Sequence, residues 1–262
     1  MKKIGLYLFV AAAVMMLGSC RVVTEEDLGK KLKKEITVKP FEEIFVQGGV
    51  EVKFTQGDSV SVVVEAPEKI WDEVSVVSDG KTLSVIPRDE KERNENKIVW
   101  DWGSSSFVTV YVTAPTLTNV TVLGSGDCTV DGLLETDSFT AQLSGSGDVK
   151  VSQVKCRKAE LGVMGSGDME VGMLEAGSCE VGVVGSGDLK TKLHGTAETG
   201  VTVTGSGDAK VTFVDCGHVK AQVTGSGDIE LTGNVQKLDK SVTGSGDIDV
   251  SRLKTEGGNS AH

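Results

Sequence analysis

The chain has 262 residues and a formal net charge of −11, and 5% of its residues are aromatic. Such an acidic surface argues against nucleic acid and anionic lipid headgroups as partners, and it favours solubility. The three histidines, His194, His218 and His262, share no spacing that is typical of a catalytic triad or a metal site.

The N-terminus is typical of an export signal. Lys2 and Lys3 precede an apolar stretch, residues 4–16, that is too short to span a bilayer as a stable anchor. Leu17-Gly18-Ser19-Cys20 follows and resembles the lipobox of bacterial lipoproteins. The resemblance implies that residues 1–19 are a signal peptide and that Cys20 carries several acyl chains, which would anchor the chain stably to a membrane.

A charged segment without clear periodicity, residues 20–35, is expected to be a flexible tether. Its acidic cluster, Glu25, Glu26 and Asp27, resembles the signal that directs Bacteroidetes lipoproteins to the outer face of the outer membrane. We therefore expect a protein that is lipid-anchored in the outer membrane, at the cell surface or on the periplasmic face.

Alternating apolar and polar residues, separated by Gly-rich or Pro-containing turns, begin near Ile36 and predict short β-strands. These strands share the rhythm of the later chain in degenerate form, so residues 36–123 are expected to form irregular coils. They are predicted within residues 41–54, 60–64, 74–77, 83–86, 107–112 and 117–123.

Residues 88–97 are nearly all charged or Asn, which predicts a solvated loop. The loop leads to Trp100 and Trp102, which flank Asp101. Two interpretations stay open: the two rings stack on a sugar or peptide ligand, or they cover an open flank of the core.

The tetrapeptide Gly-Ser-Gly-Asp occurs seven times in the rest of the chain, at steps of 19 to 21 residues. A fixed period of this length is typical of a repeat protein in which each unit is one coil of a stack. The repeat predicts columns of glycine and aspartate that consist of Gly124, Gly126, Asp127, Gly145, Gly147, Asp148, Gly165, Gly167, Asp168, Gly185, Gly187, Asp188, Gly205, Gly207, Asp208, Gly225, Gly227, Asp228, Gly244, Gly246 and Asp247.

Within each coil, counted from its first glycine, nearly all residues at the fifth and seventh positions are apolar and the sixth is polar. Strands this short cannot bury their apolar face alone, so each coil must pack against the next. The sequence therefore predicts an all-β fold, a single-stranded parallel β-helix (β-solenoid) with about 20 residues per coil and a right-handed turn. The β-helix is expected to span residues 36–253, with regular coils over 124–253 and a polar tail over 254–262.

The repeated tetrapeptide has the composition of a turn, because glycine can take positive φ and Asp can accept a backbone N–H. Stacking places the carboxylates about 4.8 Å apart, which is unfavourable unless they are solvated, hydrogen-bonded or bridged by cations. The main interpretation is a structural turn column without a cofactor. A cation site along the Asp column is the alternative.

Cys128, Cys156, Cys179 and Cys216 lie within the predicted coils. Cys156 and Cys216 share a coil position but lie three coils apart, about 14 Å, whereas a disulfide needs Cα atoms within roughly 7 Å. We expect all four to be free, small hydrophobic residues of the core.

Several segments resemble the DUF2807 family, auto-transporter adhesins with a head GIN domain. These segments are Phe41-Glu42-Glu43-Ile44, Gly48-Gly49-Val50, Ala114-Pro115-Thr116-Leu117 and repeated units such as Leu143 to Val149. The resemblance covers roughly residues 40–250. It implies a β-helical, exported, often lipid-anchored protein of Bacteroidetes type.

The resulting hypothesis is a non-enzymatic adhesin or structural binding rod of the cell envelope, with a glycan or a host matrix protein as its partner. A calcium-binding module is one alternative, because the Gly- and Asp-rich turns resemble those of calcium β-rolls. A polysaccharide-degrading enzyme is the other, although seven equivalent aspartates lack the two differently tuned carboxylates that catalysis needs. The tail, residues 256–262, is too polar and Gly-rich to cap the last coil by itself, so an open end could join two copies of the chain.

Overall fold

The structure, a computed structural model, describes residues 28–88 and 107–256. This part of the chain forms seventeen β-strands and a short 3-10 helix, Glu68–Glu73, that follows the fourth strand. The strands are β1 Lys31–Glu35, β2 Glu43–Gln47, β3 Glu51–Gln56, β4 Ser61–Pro67, β5 Val74–Ser78, β6 Thr82–Pro87, β7 Thr109–Ala114, β8 Asn119–Gly124, β9 Asp127–Glu135, β10 Ser138–Gly145, β11 Asp148–Gly165, β12 Asp168–Gly185, β13 Leu189–His194, β14 Glu198–Gly205, β15 Ala209–Gly225, β16 Ile229–Gly244 and β17 Ile248–Thr255.

The strands stack into a β-solenoid with two long faces. On the first face, neighbouring strands follow the order β1–β4–β7–β3–β9–β11–β12–β13–β15–β16–β17. On the second face, the order is β5–β6–β2–β8–β10–β11–β12–β14–β15–β16. The long strands β11, β12, β15 and β16 bend around the corner and belong to both faces. Residues at equivalent positions of successive coils, about twenty residues apart in sequence, pair with each other, which confirms the predicted all-β solenoid.

The inward positions carry the core. Of the fourteen residues predicted to point inward after each turn, thirteen are buried, and Val250 of the last coil is partly buried and packs against the core. The intervening residues, such as Lys150, Glu170 and Lys190, are exposed. The alternation in the sequence therefore identified the core face of every regular coil correctly.

The N-terminal end differs from the prediction in two ways. The predicted flexible tether extended to residue 35, whereas β1 occupies Lys31–Glu35 and Leu28 is buried at 1% exposure. In addition, β1 pairs with β4, β4 with β7 and β5 with β6 in antiparallel fashion, rather than as degenerate parallel coils. These strands lie over the first coils and cover their apolar edge, and of the three pairs β5 and β6 are joined by a short turn, residues 79–81.

Two strands at the ends of the stack carry a lysine at an inward position: β1 at the N-terminal end of the first face, and β16 at the C-terminal end of the second face. Lys34 of β1 is in register with the buried Val64, and Lys240 of β16 is in register with the buried Ala221. Both lysines are exposed because no further strand among the described residues covers them. Inward-pointing charges are a common protection of sheet edges against pairing with another chain. Within the described ranges, no helix has the length and apolar character needed to cross a membrane.

Candidate functional site

The first glycine of each repeated turn takes a positive φ, between +105° and +141°. This left-handed conformation favours glycine because it has no Cβ. Its carbonyl then accepts two backbone N–H groups from the turn of the next coil. The carbonyl of Gly165, for example, accepts from Ser186 at 2.8 Å and from Gly187 at 3.0 Å. The turns are thus joined to each other by a continuous ladder of main-chain hydrogen bonds.

The second glycine of each turn has a different role from the one predicted, because its φ is not positive. A Cβ atom at Gly187 would overlap the carbonyl oxygen of Gly167 in the preceding coil, and Gly147 meets Gly126 in the same way. The second glycine is therefore required by the close approach of two backbones, which leaves no room for a side chain.

The carboxylates of the Asp column form a hydrogen-bonded ladder. Asp188 Oδ1 accepts the backbone N–H of Asp208 at 3.1 Å, and Asp208 Oδ1 accepts that of Asp228 at 2.9 Å. The same bond joins Asp127 to Asp148, Asp168 to Asp188 and Asp228 to Asp247. Each of these carboxylates thus caps the turn of the following coil. Among the described residues, no three His, Cys, Asp or Glu side chains converge on a point that could hold a metal ion.

The remaining residues singled out from the sequence lie outside the described part of the chain. These are Cys20, Trp100, Trp102, the loop after Arg88 and the tail from residue 257. The interpretation of the two tryptophans as a stacking platform and of Cys20 as a lipidation site therefore stays a prediction.

The four cysteines of the coils are free, as predicted. Cys128, Cys179 and Cys216 are buried, and Cys156 is partly buried and packs against the core. Burial raises the pKa of the Cys128 thiol to about 12 and also raises the pKa of Cys179. The thiols of Cys128 and Cys179 are thus core side chains with little thiolate character at neutral pH.

The outward charges of the first face largely neutralise each other. Lys190 Nζ lies 3.0 Å from Glu170 Oε1, and Lys210 Nζ lies 3.4 Å from Glu230 Oε2. Arg252 also pairs with Glu230. Exposed pairs of this kind contribute little to stability, but they leave this part of the face with few free charges.

The second face is interrupted by three outward glycines in the middle of its strands. Gly162 of β11 and Gly182 of β12 are in register with each other, and Gly200 of β14 lies one coil further on, beside Glu180. Glycine weakens a strand interior and often marks a place where a ligand or another backbone approaches closely. Two cavities, of about 420 and 290 Å³, lie along these glycines and share Glu180 and Thr202. The side chains of Gln142 and Glu180 extend over Gly162 and Gly200, and the space above Gly182 is open. We call this continuous depression the second-face groove.

The groove has one apolar and one acidic side. Met164 and Val184, in register on adjacent coils, are each 50% exposed. Opposite them, Glu160 and Glu180 are also in register, and the Glu180 carboxylate lies over Gly200. In the described part of the chain, neither Glu160, Glu180 nor the nearby Glu198 forms an ion pair. Their charges and the apolar side chains therefore remain available to a bound molecule.

The C-terminal end of the groove carries a small charged cluster. Asp239 Oδ2 lies 2.7 Å from His218 Nε2 and 2.9 Å from Lys237 Nζ. Hydrogen bonds from Lys237 and then from His218 hold the pKa of the Asp239 carboxyl below its ordinary value. Lys220 and Lys240 also line this end, so positive charge collects where the other end is acidic.

Sequence reasoning did not identify this groove. Its signal was present in the two segments Glu160-Leu161-Gly162-Val163 and Glu180-Val181-Gly182-Val183. In each, an alternating strand places Gly where a polar or β-branched residue would be expected. Alignment of the coils shows that the two glycines are neighbours.

Comparisons with known proteins agree with this architecture. The family model DUF2807, described as "Putative auto-transporter adhesin, head GIN domain", matches residues 40–215 and 180–261. A crystal structure of a "putative adhesin" from Bacteroides fragilis NCTC 9343 has a TM-score of 0.70 and 21% identity, over 86% of this chain and 97% of that chain.

Two structures from Parabacteroides distasonis ATCC 8503, both with a TM-score of 0.69, are similarly related. One is a "putative lipid binding protein", 19% identical over 86% of this chain and 97% of that one. The other is a "putative adhesin", 22% identical over 86% and 98%. At these identities the likeness shows the fold. The comparison with curated proteins found no match.

Proposed function

Because this chain belongs to the DUF2807 family of auto-transporter adhesins, we propose that it is a non-enzymatic, lipid-anchored adhesin of the bacterial cell envelope that binds its ligand in the second-face groove. The observation that carries the binding role is the groove itself. Its glycine floor crosses three successive coils, and its walls offer both apolar and unpaired charged groups. A glycan or an extended segment of a host matrix protein has the shape and mixed polarity for such a surface.

The envelope location is supported by the sequence before the solenoid. Leu17-Gly18-Ser19-Cys20 has the pattern of a lipidation site, and the acidic residues that follow resemble a surface-export signal. The similar structures from Bacteroides and Parabacteroides are each described as a "putative adhesin", and that description supports a place in the cell envelope. Incorporation of labelled palmitate should occur in the native chain and be lost in Cys20→Ala.

Protease treatment of intact cells separates the two orientations. Digestion of the anchored chain without lysis supports the outer surface, and digestion only after lysis supports the periplasmic face. Absence of palmitate from the native chain would contradict the lipid anchor while leaving the binding role of the groove open.

The binding role can be tested by filling the groove. A Cβ at Gly182 meets no atom within 4 Å and its φ is not positive, so Gly182→Tyr should fold normally and place a ring on the groove floor. Lys192→Tyr is the matched control, because Lys192 is exposed on the first face. Ligands are first identified with glycan and matrix-protein arrays. We expect Gly182→Tyr to weaken binding at least tenfold and Lys192→Tyr to preserve it; equal binding by both variants would contradict the groove as the site.

The equivalence of the Asp column supports a role without catalysis. Five of its carboxylates accept the same hydrogen bond from the next coil, whereas acid–base catalysis uses two carboxyls in different environments. Incubation with the glycans that bind on the array gives a direct check. Turnover that is lost when one Asp is replaced would support an enzyme instead.

A further inference from the structure

One coil of the solenoid differs from the others in its interior. Thr191, Thr196 and Thr199 are 3%, 1% and 3% exposed, and the hydroxyl of each has no hydrogen-bond partner among the described residues. All three belong to the coil of residues 185–204, which we call the threonine coil. An unpaired buried hydroxyl has lost its hydrogen bonds to water without replacing them, so this coil is held less firmly than its neighbours.

The register shows what the threonines replace. Thr191 lies between Val171 and Val211, and Thr199 lies between Cys179 and Val219, all of them buried. A polar layer therefore interrupts an apolar core that is otherwise continuous from coil to coil.

The backbone of the threonine coil is also interrupted. The adjoining coils contain β12 and β15, which run through the corner as single strands of 18 and 17 residues. The threonine coil is divided into β13 and β14, with Gly195 at φ +67° between them. Two independent features, unpaired interior hydroxyls and a divided strand, thus coincide in one layer.

We propose that the threonine coil is the layer at which the solenoid opens: this coil detaches from both of its neighbours, so that the C-terminal coils, residues 205–256, separate from the N-terminal coils before the whole chain unfolds. Stacked repeats contact only their neighbours, and such a stack opens where one interface is weakest. The second-face groove crosses this layer at Gly200 and Thr202. The groove is therefore disrupted when the solenoid opens at this layer, and it forms again when the coils close.

The chain contains its own reporters of this event. Cys179 is in register with Thr199, and Cys216 Sγ lies 3.6 Å from the carbonyl oxygen of Leu193. Both are buried against the threonine coil, so its opening exposes them. Cys128, buried between Val52 and Val149 three coils earlier, stays covered. The two sets of thiols distinguish opening at this layer from global unfolding.

The test is thiol labelling of the chain from residue 20 onward with Cys20→Ser, in low urea, followed by mass spectrometry of each cysteine peptide. We expect Cys179 and Cys216 to react at least tenfold faster than Cys128. The combined variant Thr191→Val, Thr196→Val and Thr199→Val fills the same volume without hydroxyls. It should slow labelling of Cys179 and Cys216 at least tenfold and leave that of Cys128 unchanged.

Thr204→Val, Thr224→Val and Thr243→Val together form the matched control, because these threonines lie in register at outward positions of the second face. These three substitutions should leave the labelling rates of Cys128, Cys179 and Cys216 unchanged. Equal labelling of Cys128 and Cys179 in the native chain would overturn the proposal. So would unchanged or faster labelling of Cys179 in the valine variant, because the hydroxyls would then not weaken the layer.

Discussion

The carboxylate of Asp168 accepts a hydrogen bond from the backbone N–H of Asp188, one coil further along the stack, at 3.1 Å. The two side chains occupy equivalent positions about 4.8 Å apart. Asp is therefore useful here as an acceptor, while its charge faces like charges in the same column. A neutral side chain of the same shape that still accepts this hydrogen bond would remove the repulsion between like charges in the column.

We predict that Asp168→Asn changes the free energy of unfolding by less than about 0.5 kcal/mol, or raises it, because the Asn carbonyl still accepts the N–H of Asp188. Asp168→Ala removes the acceptor and should cost about 1 kcal/mol. Urea denaturation of both variants, with and without EDTA, measures the difference. A large loss in Asp168→Asn that depends on EDTA would instead indicate a cation bound to the column.

The regular coils could be predicted because both of their determinants are local. Alternation of apolar and polar residues identified inward positions such as Val149 and Val151, and the period of twenty identified their stacking. The function of the second glycine could not be predicted in the same way. It depends on the distance between Gly187 and the backbone of another coil, which no local pattern reports.

The groove and the N-terminal end were missed for the same reason. Gly162 and Gly200 are unremarkable in sequence until the coils are aligned and their neighbours are known. At the N-terminal end, the antiparallel pairing of β1 with β4 follows from the need to cover the first coils. Strand direction carries no signature in runs of five to seven residues.

Two glycines five residues apart in sequence should respond differently to the same change. Gly187→Ala places a Cβ against the carbonyl oxygen of Gly167 and should cost at least about 2 kcal/mol, because two backbones must separate. Gly182→Ala meets open space at an ordinary φ and should be neutral or stabilising by a few tenths of a kcal/mol, because alanine restricts the unfolded chain. Thermal denaturation of the pair is the measurement. Similar losses in both variants would contradict the structural distinction between turn and groove glycines.

Glu43 gives a pH dependence that can be measured. A hydrogen bond from Lys81, at 2.8 Å, lowers the pKa of the Glu43 carboxyl; burial opposes this, and the hydroxyl of Thr82, at 2.7 Å, adds to it. A carboxyl with a lowered folded pKa stabilises the fold above its unfolded pKa, about 4.3, and loses this effect as pH falls through the folded value.

Glu43→Gln should therefore cost up to about 1 kcal/mol at pH 7, since the ion pair is partly exposed and screened by solvent. The difference from the native chain should shrink as the pH falls below about 4. Glu42→Gln, at an exposed neighbouring position, is the control and should show no comparable trend. A cost in Glu43→Gln that persists unchanged at low pH would show that the side chain acts through packing alone.

The exposed end of β16 tests whether the solenoid is protected against self-association. Lys240 stands at an inward position, in a column where the preceding coils have Ala221 and Val201. Lys240→Leu completes this apolar column and leaves the strand edge free to pair with a second copy. We predict a monomer for the native chain and a concentration-dependent dimer for the variant, measured by sedimentation velocity.

Lys220→Leu adds the same side chain at an outward position one coil earlier and should remain monomeric. This comparison separates the inward column from a general increase in surface hydrophobicity. A native chain that already forms dimers, dissociated by Lys240→Glu, would show that the open end joins two copies despite the lysine. In that case Lys240 would contribute to the interface by pairing with a carboxylate of the second copy.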